Sequence, residues 1–215
     1  MNLPPTRTRI KICGITRVQD AVHAADAGVD AIGLVFYPHS PRVVSIAQAQ
    51  ILVDALPPFV TKVGLFVNAT QAQVRAVLEQ VDLDVLQFHG EESPHFCAGF
   101  MRPYLKALRV NPQLDIGQSI REYTTAQGIL LDTWHEKLHG GSGSTFDWSL
   151  LDPLQGVLKP ATRLILAGGL HPNNVAQAIT HTKPWAVDVS SGVESAPGIK
   201  SVELIKQFVA AVHSV

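Results

Sequence analysis

What most constrains the fold of this chain is a rhythm. Eight short apolar, β-branched runs recur along its 215 residues, with stretches of helical period between them. The runs are RIKICGI (9–15), DAIGLVF (30–36), TKVGLFV (61–67), DVLQFHG (84–90), PYLKALRV (103–110), QGILLDT (127–133), RLILAGG (163–169) and WAVDVSSG (185–192). Helical patterns include RVQDAVHAADAG, SIAQAQILVDAL, NATQAQVRAVLEQ and HPNNVAQAITH, with Ser45 and either Asn68 or Thr70 as caps and Gly28 as a stop. A last helix, VELIKQFVAAVH, spaces Val202, Leu204, Ile205, Phe208, Val209 and Val212 to bury one stripe. The continuously apolar segments ILL, LILAGG and AVDV suit strands covered on both faces, hence parallel pairing under helices. An eightfold βα alternation therefore predicts an α/β chain folded as a single-domain (β/α)8 TIM barrel, near the short end of the roughly 200–400 residues such barrels occupy. The rival, an open doubly wound sheet, leaves an edge and a crevice at its switch point. The count of eight favours the barrel. No shift of composition or long linker divides residues 1–215, so they are read as one catalytic domain.

Charge and cysteine usage narrow the function. Only 16% of residues are charged and the formal net charge is −1, which gives no electrostatic case for nucleic acid or an anionic membrane as partner. A small-molecule enzyme, monomer or homodimer, fits this balance. Cys13 and Cys97 lie far apart without a C-x-x-C pattern, which suits free thiols in a reducing compartment. The N-terminal MNLPPTRTRIKI holds no signal-peptide apolar run, and no stretch of about 18 apolar residues occurs. A soluble, cytoplasmic protein is expected.

In a barrel of this kind the strand C-termini and the loops after them build the site. Four strands end in conspicuous polar residues: Cys13-Gly14 after the first, His89-Gly90 after the fourth, Asp132 at the sixth, and Asp188 with Ser190, Ser191 and Gly192 at the eighth. The seventh ends in Gly168-Gly169, and loops after strands 7 and 8 frequently hold a phosphate on backbone N–H groups. Each feature also has a plainer reading. A lone cysteine is often a small buried hydrophobe, a Gly-Gly pair a turn, a strand-end carboxylate a cap, and His89 a hydrogen-bonded structural histidine.

Taken in order, KICGIT (11–16), GLVFYPHSPR (33–42), VGLFVN (63–68), QFHG (87–90), LLDT (130–133), GGSGSTFDW (140–148), LAGGL (166–170) and DVSSGVE (188–194) resemble the phosphoribosylanthranilate isomerase family of tryptophan biosynthesis. The matches span the chain and fall on nearly every strand end. The resemblance implies an Amadori rearrangement with Cys13 as general base and Asp132 as general acid. It implies that Arg42 grips the anthranilate carboxylate and that Asp188 faces the sugar hydroxyls. Backbone groups around Gly141, Gly168, Gly169, Ser190, Ser191 and Gly192 would hold the ribose phosphate. Two positions depart from the family pattern: Ser144 and His39 stand where lysine is commoner.

The chemistry asks for an acid at the ribose ring oxygen and a base at C2′, on opposite sides of the sugar. The substrate's own iminium nitrogen is the electron sink, so neither metal nor cofactor is required. A free thiol is mostly protonated and a free carboxyl ionised at neutral pH, so the site must shift both. Strand alternation puts Lys11 on the face of Cys13, where its ammonium would favour the thiolate; the alternative is a barrel-filling lysine paired with an interior carboxylate. The histidine-pathway isomerase of the same fold is a rival, but it typically carries aspartate where Cys13 stands. A catalytically silent phosphate binder is another, opposed by retention of both proton-transfer residues. His135-Glu136-Lys137-Leu138-His139 matches the H-E-x-x-H zinc pattern, yet Gly140-Gly141 follows at once and leaves barely one turn of helix.

Overall fold

In the computed structural model residues 7–110, 114–133, 148 and 163–215 are described. Eight parallel strands close into a barrel in sequence order: β1 (Arg9–Cys13), β2 (Ala31–Val35), β3 (Thr61–Phe66), β4 (Val85–Phe88), β5 (Tyr104–Val110), β6 (Gly128–Thr133), β7 (Leu164–Leu166) and β8 (Ala186–Val189). Pairing of β8 with β1, Lys11 opposite Asp188, completes the ring, so the barrel itself has no open edge. All eight expected strands are present. Their observed ends are trimmed by up to three residues, because Gly14-Ile15, His89-Gly90, Gly168-Gly169 and Ser190–Gly192 leave the sheet to form the mouth.

Alternation along each strand separates two cores. Outward residues such as Ile10, Ile12, Ile32, Leu34, Phe66, Leu86, Phe88, Val187 and Val189 pack beneath the helices. Inward residues fill the barrel in layers. Ala107, Leu130, Ile165, Ala167 and Ala186 form one cluster, and Cys13, Val35 and Leu65 form another nearer the mouth.

The helices are α1 (Val18–Asp26), α2 (Ile46–Asp54), α3 (Gln71–Leu78), α4 (Pro94–Cys97), α5 (Ile116–Glu122), α6 (Val175–Thr182) and α7 (Val202–His213). Ser45 caps α2, and Thr70 rather than Asn68 caps α3 through a capping box with Gln73. Asn68 takes a left-handed turn instead, with φ 50°. The last helix matches its expected span and buries Ile205, Phe208, Val209 and Val212. Helix α4 has too few residues to show a period, and α5 buries only Ile116, so neither carries an apolar stripe. After β8 come a short 3-10 turn, Ser191–Val193, and a two-stranded ribbon, β9 (Glu194–Ala196) with β10 (Ile199–Lys200). Among the described residues no helix is long and apolar enough to cross a membrane.

Candidate active site

Nineteen residues from all eight strand ends and their loops line one cavity of about 530 Å³ at the C-terminal mouth. Cys13, Arg42, Asp132, Gly168, Gly169, Asp188, Ser190 and Ser191 are all among them. The structure thus brings together every described site residue expected from sequence except Gly192. Gly141 and the His135–His139 stretch lie outside the described residues, as does Ser144. Of the GGSGSTFDW stretch only Trp148 is described, buried with its ring tilted against His181. His39 is exposed and meets Tyr37 edge-on.

On β1, Lys11 and Cys13 point inward one above the other, and both are buried. Gly33, paired with Cys13 across the β1–β2 ladder, is what admits them. A Cβ on Gly33 would lie 2.7 Å from the Cys13 sulfur and 3.1 Å from Lys11 Nζ. Lys11 donates to both oxygens of Asp188, at 2.9 and 2.8 Å. Burial works against the Lys11 charge, but Asp188 and the Cys13 sulfur outweigh it and hold the ammonium pKa up. Burial likewise pushes the Asp188 carboxyl up, against the pull of Lys11. Lys11 does favour the thiolate, as expected, and it is also the barrel lysine paired with an interior carboxylate that the alternative reading described, but neither decides the balance at Cys13. Burial pushes the Cys13 thiol up, Asp188 adds to the rise, and Lys11 and Lys200 offset only part of it. One ammonium shared with a buried carboxylate cannot fully charge a desolvated sulfur.

Arg42 reaches the mouth from the loop after β2, its stem lying over Gly14, where φ is 75° and any Cβ would collide with the arginine. Its fork is already engaged: Nε donates to Glu194 Oε1 at 2.8 Å and Nη2 to Oε2 at 2.6 Å. The Nη1 side has no acceptor among the described residues. Lys200, on β10, is buried and donates to the Cys13 carbonyl at 2.7 Å, to the Ser190 carbonyl at 3.1 Å and to Glu194 at 2.8 Å. Burial favours a protonated Glu194, but the hydrogen bonds from Arg42 and Lys200 outweigh it and hold the carboxyl below its ordinary range. Glu194 and Lys200 thus tie the β1 end, the β8 loop and Arg42 into one unit. Sequence reading missed this role because the ribbon that carries Lys200 has no periodic signal.

Opposite, Asp132 stands at the end of β6 with 30% of its side chain exposed, and His89 Nε2 lies 3.0 Å from its Oδ2. Gln87 Nε2 lies 3.2 Å from His89 Nδ1. His89 is thus a hydrogen-bonded histidine, as its plainer reading had it, and the partner is the proposed acid. The loop behind it is fixed by buried Glu92, which accepts from the N–H groups of Asn68 and Gly90 and from Lys106 at 2.9 Å. Arg109, paired across the ladder with Asp132, also lines the mouth and went unnoticed in sequence.

At the β7 and β8 ends Gly168 and Gly169 take φ of 83° and 64°. Among the described residues the N–H groups of Gly168, Gly169, Ser190, Ser191 and Gly192 have no protein acceptor. Such a nest of unpaired donors is what an anion binds. Asn174 braces the first loop, accepting from His171 N and donating to the Gly169 carbonyl. Gly192 does not line the cavity but lies against the Leu170 carbonyl, which a Cβ would strike. It sets the spacing of the two loops.

The family model for N-(5′-phosphoribosyl)anthranilate isomerase matches residues 10–211. The chain is 57% identical over 206 residues to the N-(5′-phosphoribosyl)anthranilate isomerase of Pseudomonas syringae pv. tomato, covering 95% of this chain and 97% of that one. It is 55% identical to the enzyme of that name from Azotobacter vinelandii, over 96% and 98% of the two chains. Among solved structures, phosphoribosyl anthranilate isomerase from Thermotoga maritima superposes with a TM-score of 0.87 at 40% identity, over 97% of this chain and all of that one. A phosphoribosyl anthranilate isomerase in complex with reduced 1-(o-carboxyphenylamino)-1-deoxyribulose 5-phosphate superposes with a TM-score of 0.85 at 39% identity, again over 97% and 100%. A closed barrel of eight parallel strands agrees with these matches: the chain belongs to the N-(5′-phosphoribosyl)anthranilate isomerase family.

Proposed function

We propose that this chain carries out the Amadori rearrangement of N-(5′-phosphoribosyl)anthranilate in tryptophan biosynthesis, with Asp132 as acid and Cys13 as base. The observation that carries the reading is that these two side chains face one cavity from strands three steps apart round the barrel, with the unpaired N–H groups of the β7 and β8 loops between them. Asp132 gives its proton to the ring oxygen as the C1′–O bond breaks, and the anilino nitrogen forms a C1′ iminium. Cys13 then removes the C2′ proton, and the electrons flow to the iminium nitrogen. The enolamine ketonises by losing its O2′ proton and gaining one at C1′. Asp132 ends one proton short and Cys13 one proton long, and exchange with solvent restores both.

The order of steps follows from the chemistry, because the C2′ hydrogen is acidic only once ring opening has made the C1′ iminium. Burial pushes the Cys13 thiol up, and the cationic iminium beside it works in the opposite sense, favouring sulfur as the base. Binding divides among the remaining groups. The β7 and β8 loops take the phosphate, the open Nη1 side of Arg42 takes the anthranilate carboxylate while Glu194 holds the other edge, and Asp188 stays beside the sugar. All the described groups come from one chain, so a monomer or a homodimer serves alike. A pathway enzyme with two unpaired cysteines belongs in the cytoplasm.

Loss of phosphoribosylanthranilate fluorescence tests the assignment. Cys13→Ala and Asp132→Asn should each lower turnover by about 10²- to 10⁴-fold, the worth of one acid or base, while circular dichroism stays native. Near-normal turnover in either variant overturns it.

A further inference from the structure

We propose that Gln87 and His89 act as positioning residues that decide which oxygen of Asp132 carries the transferable proton. The inference rests on Asp132 being the acid and adds a direction to it. His89 Nε2 meets Asp132 Oδ2 at 3.0 Å. In the tautomer we assign, Nε2 bears the hydrogen and Oδ2 accepts it, whether Asp132 is a carboxylate or an acid with its proton on Oδ1. Nδ1 is then bare and needs a donor, and at 3.2 Å it finds the amide nitrogen of Gln87. The three side chains make a one-way chain of donors that ends on Oδ2.

Packing gives no reason for a glutamine at this position. Gln87 is fully buried on β4 beneath the mouth cavity, and its Oε1 has no hydrogen-bond partner among the described residues. A buried acceptor left unpaired is costly, and leucine would fill the same space without one. What the amide supplies is its N–H₂ end, aimed at His89. With Oδ2 accepting from His89, the proton of Asp132 sits on Oδ1, free to reach the ribose ring oxygen. In the opposite tautomer Nε2 would be a bare acceptor and would draw the Asp132 proton into an O–H···N bond, away from the sugar. Gln87 prevents that by occupying Nδ1 with a donor.

Nitrogen-15 NMR of the full-length protein labelled at histidine tests this without turnover. His89 should show a pyridine-like Nδ1 and a pyrrole-like Nε2 in the wild type. Gln87→Glu, which offers Nδ1 an acceptor, should reverse or doubly protonate the ring. In the same variant kcat should fall about ten- to hundredfold, the worth of one charge-assisted hydrogen bond, with KM little changed. Gln87→Leu should lose kcat too yet melt no lower than wild type. His89→Gln, which returns an N–H to Oδ2, should recover most of what His89→Ala loses. A wild-type His89 protonated at Nδ1, or an unchanged kcat in Gln87→Glu, overturns the proposal. If Asp132 is not the acid, Asp132→Asn stays active while the NMR signature holds, so the two failures are distinct.

Discussion

Cys13 sits where burial opposes the ionisation its proposed role requires. Lys11 is the nearest remedy, yet it is bound to both oxygens of Asp188. The sign of each neighbour is therefore testable in the ligand-free protein. Alkylation rate against pH, in a Cys97→Ala background, should place the Cys13 thiol above its ordinary value of 9.0. Lys11→Met should raise it further, because the variant removes a cation and leaves Asp188 uncompensated. A thiol that titrates below 9.0, or falls on removing Lys11, contradicts this account. Much of the residue scale was legible in the chain. Cys13, Asp132 and Asp188 stand at strand ends, where the site of such a barrel is built. The partners were not. Nothing in the local sequence says that Arg42 meets Glu194, 152 residues away, or that Lys200 reaches the Cys13 carbonyl across 187. Such contacts are decided by closure of the barrel, not by spacing along a strand.

At the scale of elements, the mouth is held by two devices outside the barrel strands. The first is the fit of the β8 loop beneath the β7 loop at Gly192. Gly192→Ala would drive a methyl group into the Leu170 carbonyl, at a cost of about 1–3 kcal/mol for overpacking. A fall in Tm and weaker inhibition by inorganic phosphate should follow, and a variant unchanged in both would refute the packing role. The second device is the β9–β10 ribbon, through Glu194 and Lys200. Glu194 has its pKa held below the ordinary 4.5 in the folded protein, so its contribution to stability is present above that value. The contribution is lost as pH falls through the lowered value. Urea midpoints measured downward from pH 5 should drop more steeply in wild type than in Glu194→Gln, and parallel curves would contradict the linkage. The strands were readable because continuous apolar runs survive in any barrel wall. Helices α4 and α5 were not, since one is a single turn and the other buries one side chain. The ribbon is too short for any period to show.

The whole molecule separates stability from chemistry by direction. Outward faces of the strands and the helices carry an apolar core, while the inner layers grade from alanine, leucine and isoleucine in mid-barrel to a mouth of ionisable groups. The buried Lys11–Asp188 pair marks that boundary, and breaking one half of such a pair typically costs about 3–5 kcal/mol. The measurement that tests the central claim most directly is a crystal structure of this protein with reduced 1-(o-carboxyphenylamino)-1-deoxyribulose 5-phosphate. The account predicts the Cys13 sulfur facing C2′, Asp132 Oδ1 within hydrogen-bond reach of the oxygen that was in the ribose ring, and the phosphate on the N–H groups of the β7 and β8 loops. A ligand bound with C2′ turned away from Cys13, or with Asp132 out of reach of that oxygen, would contradict it.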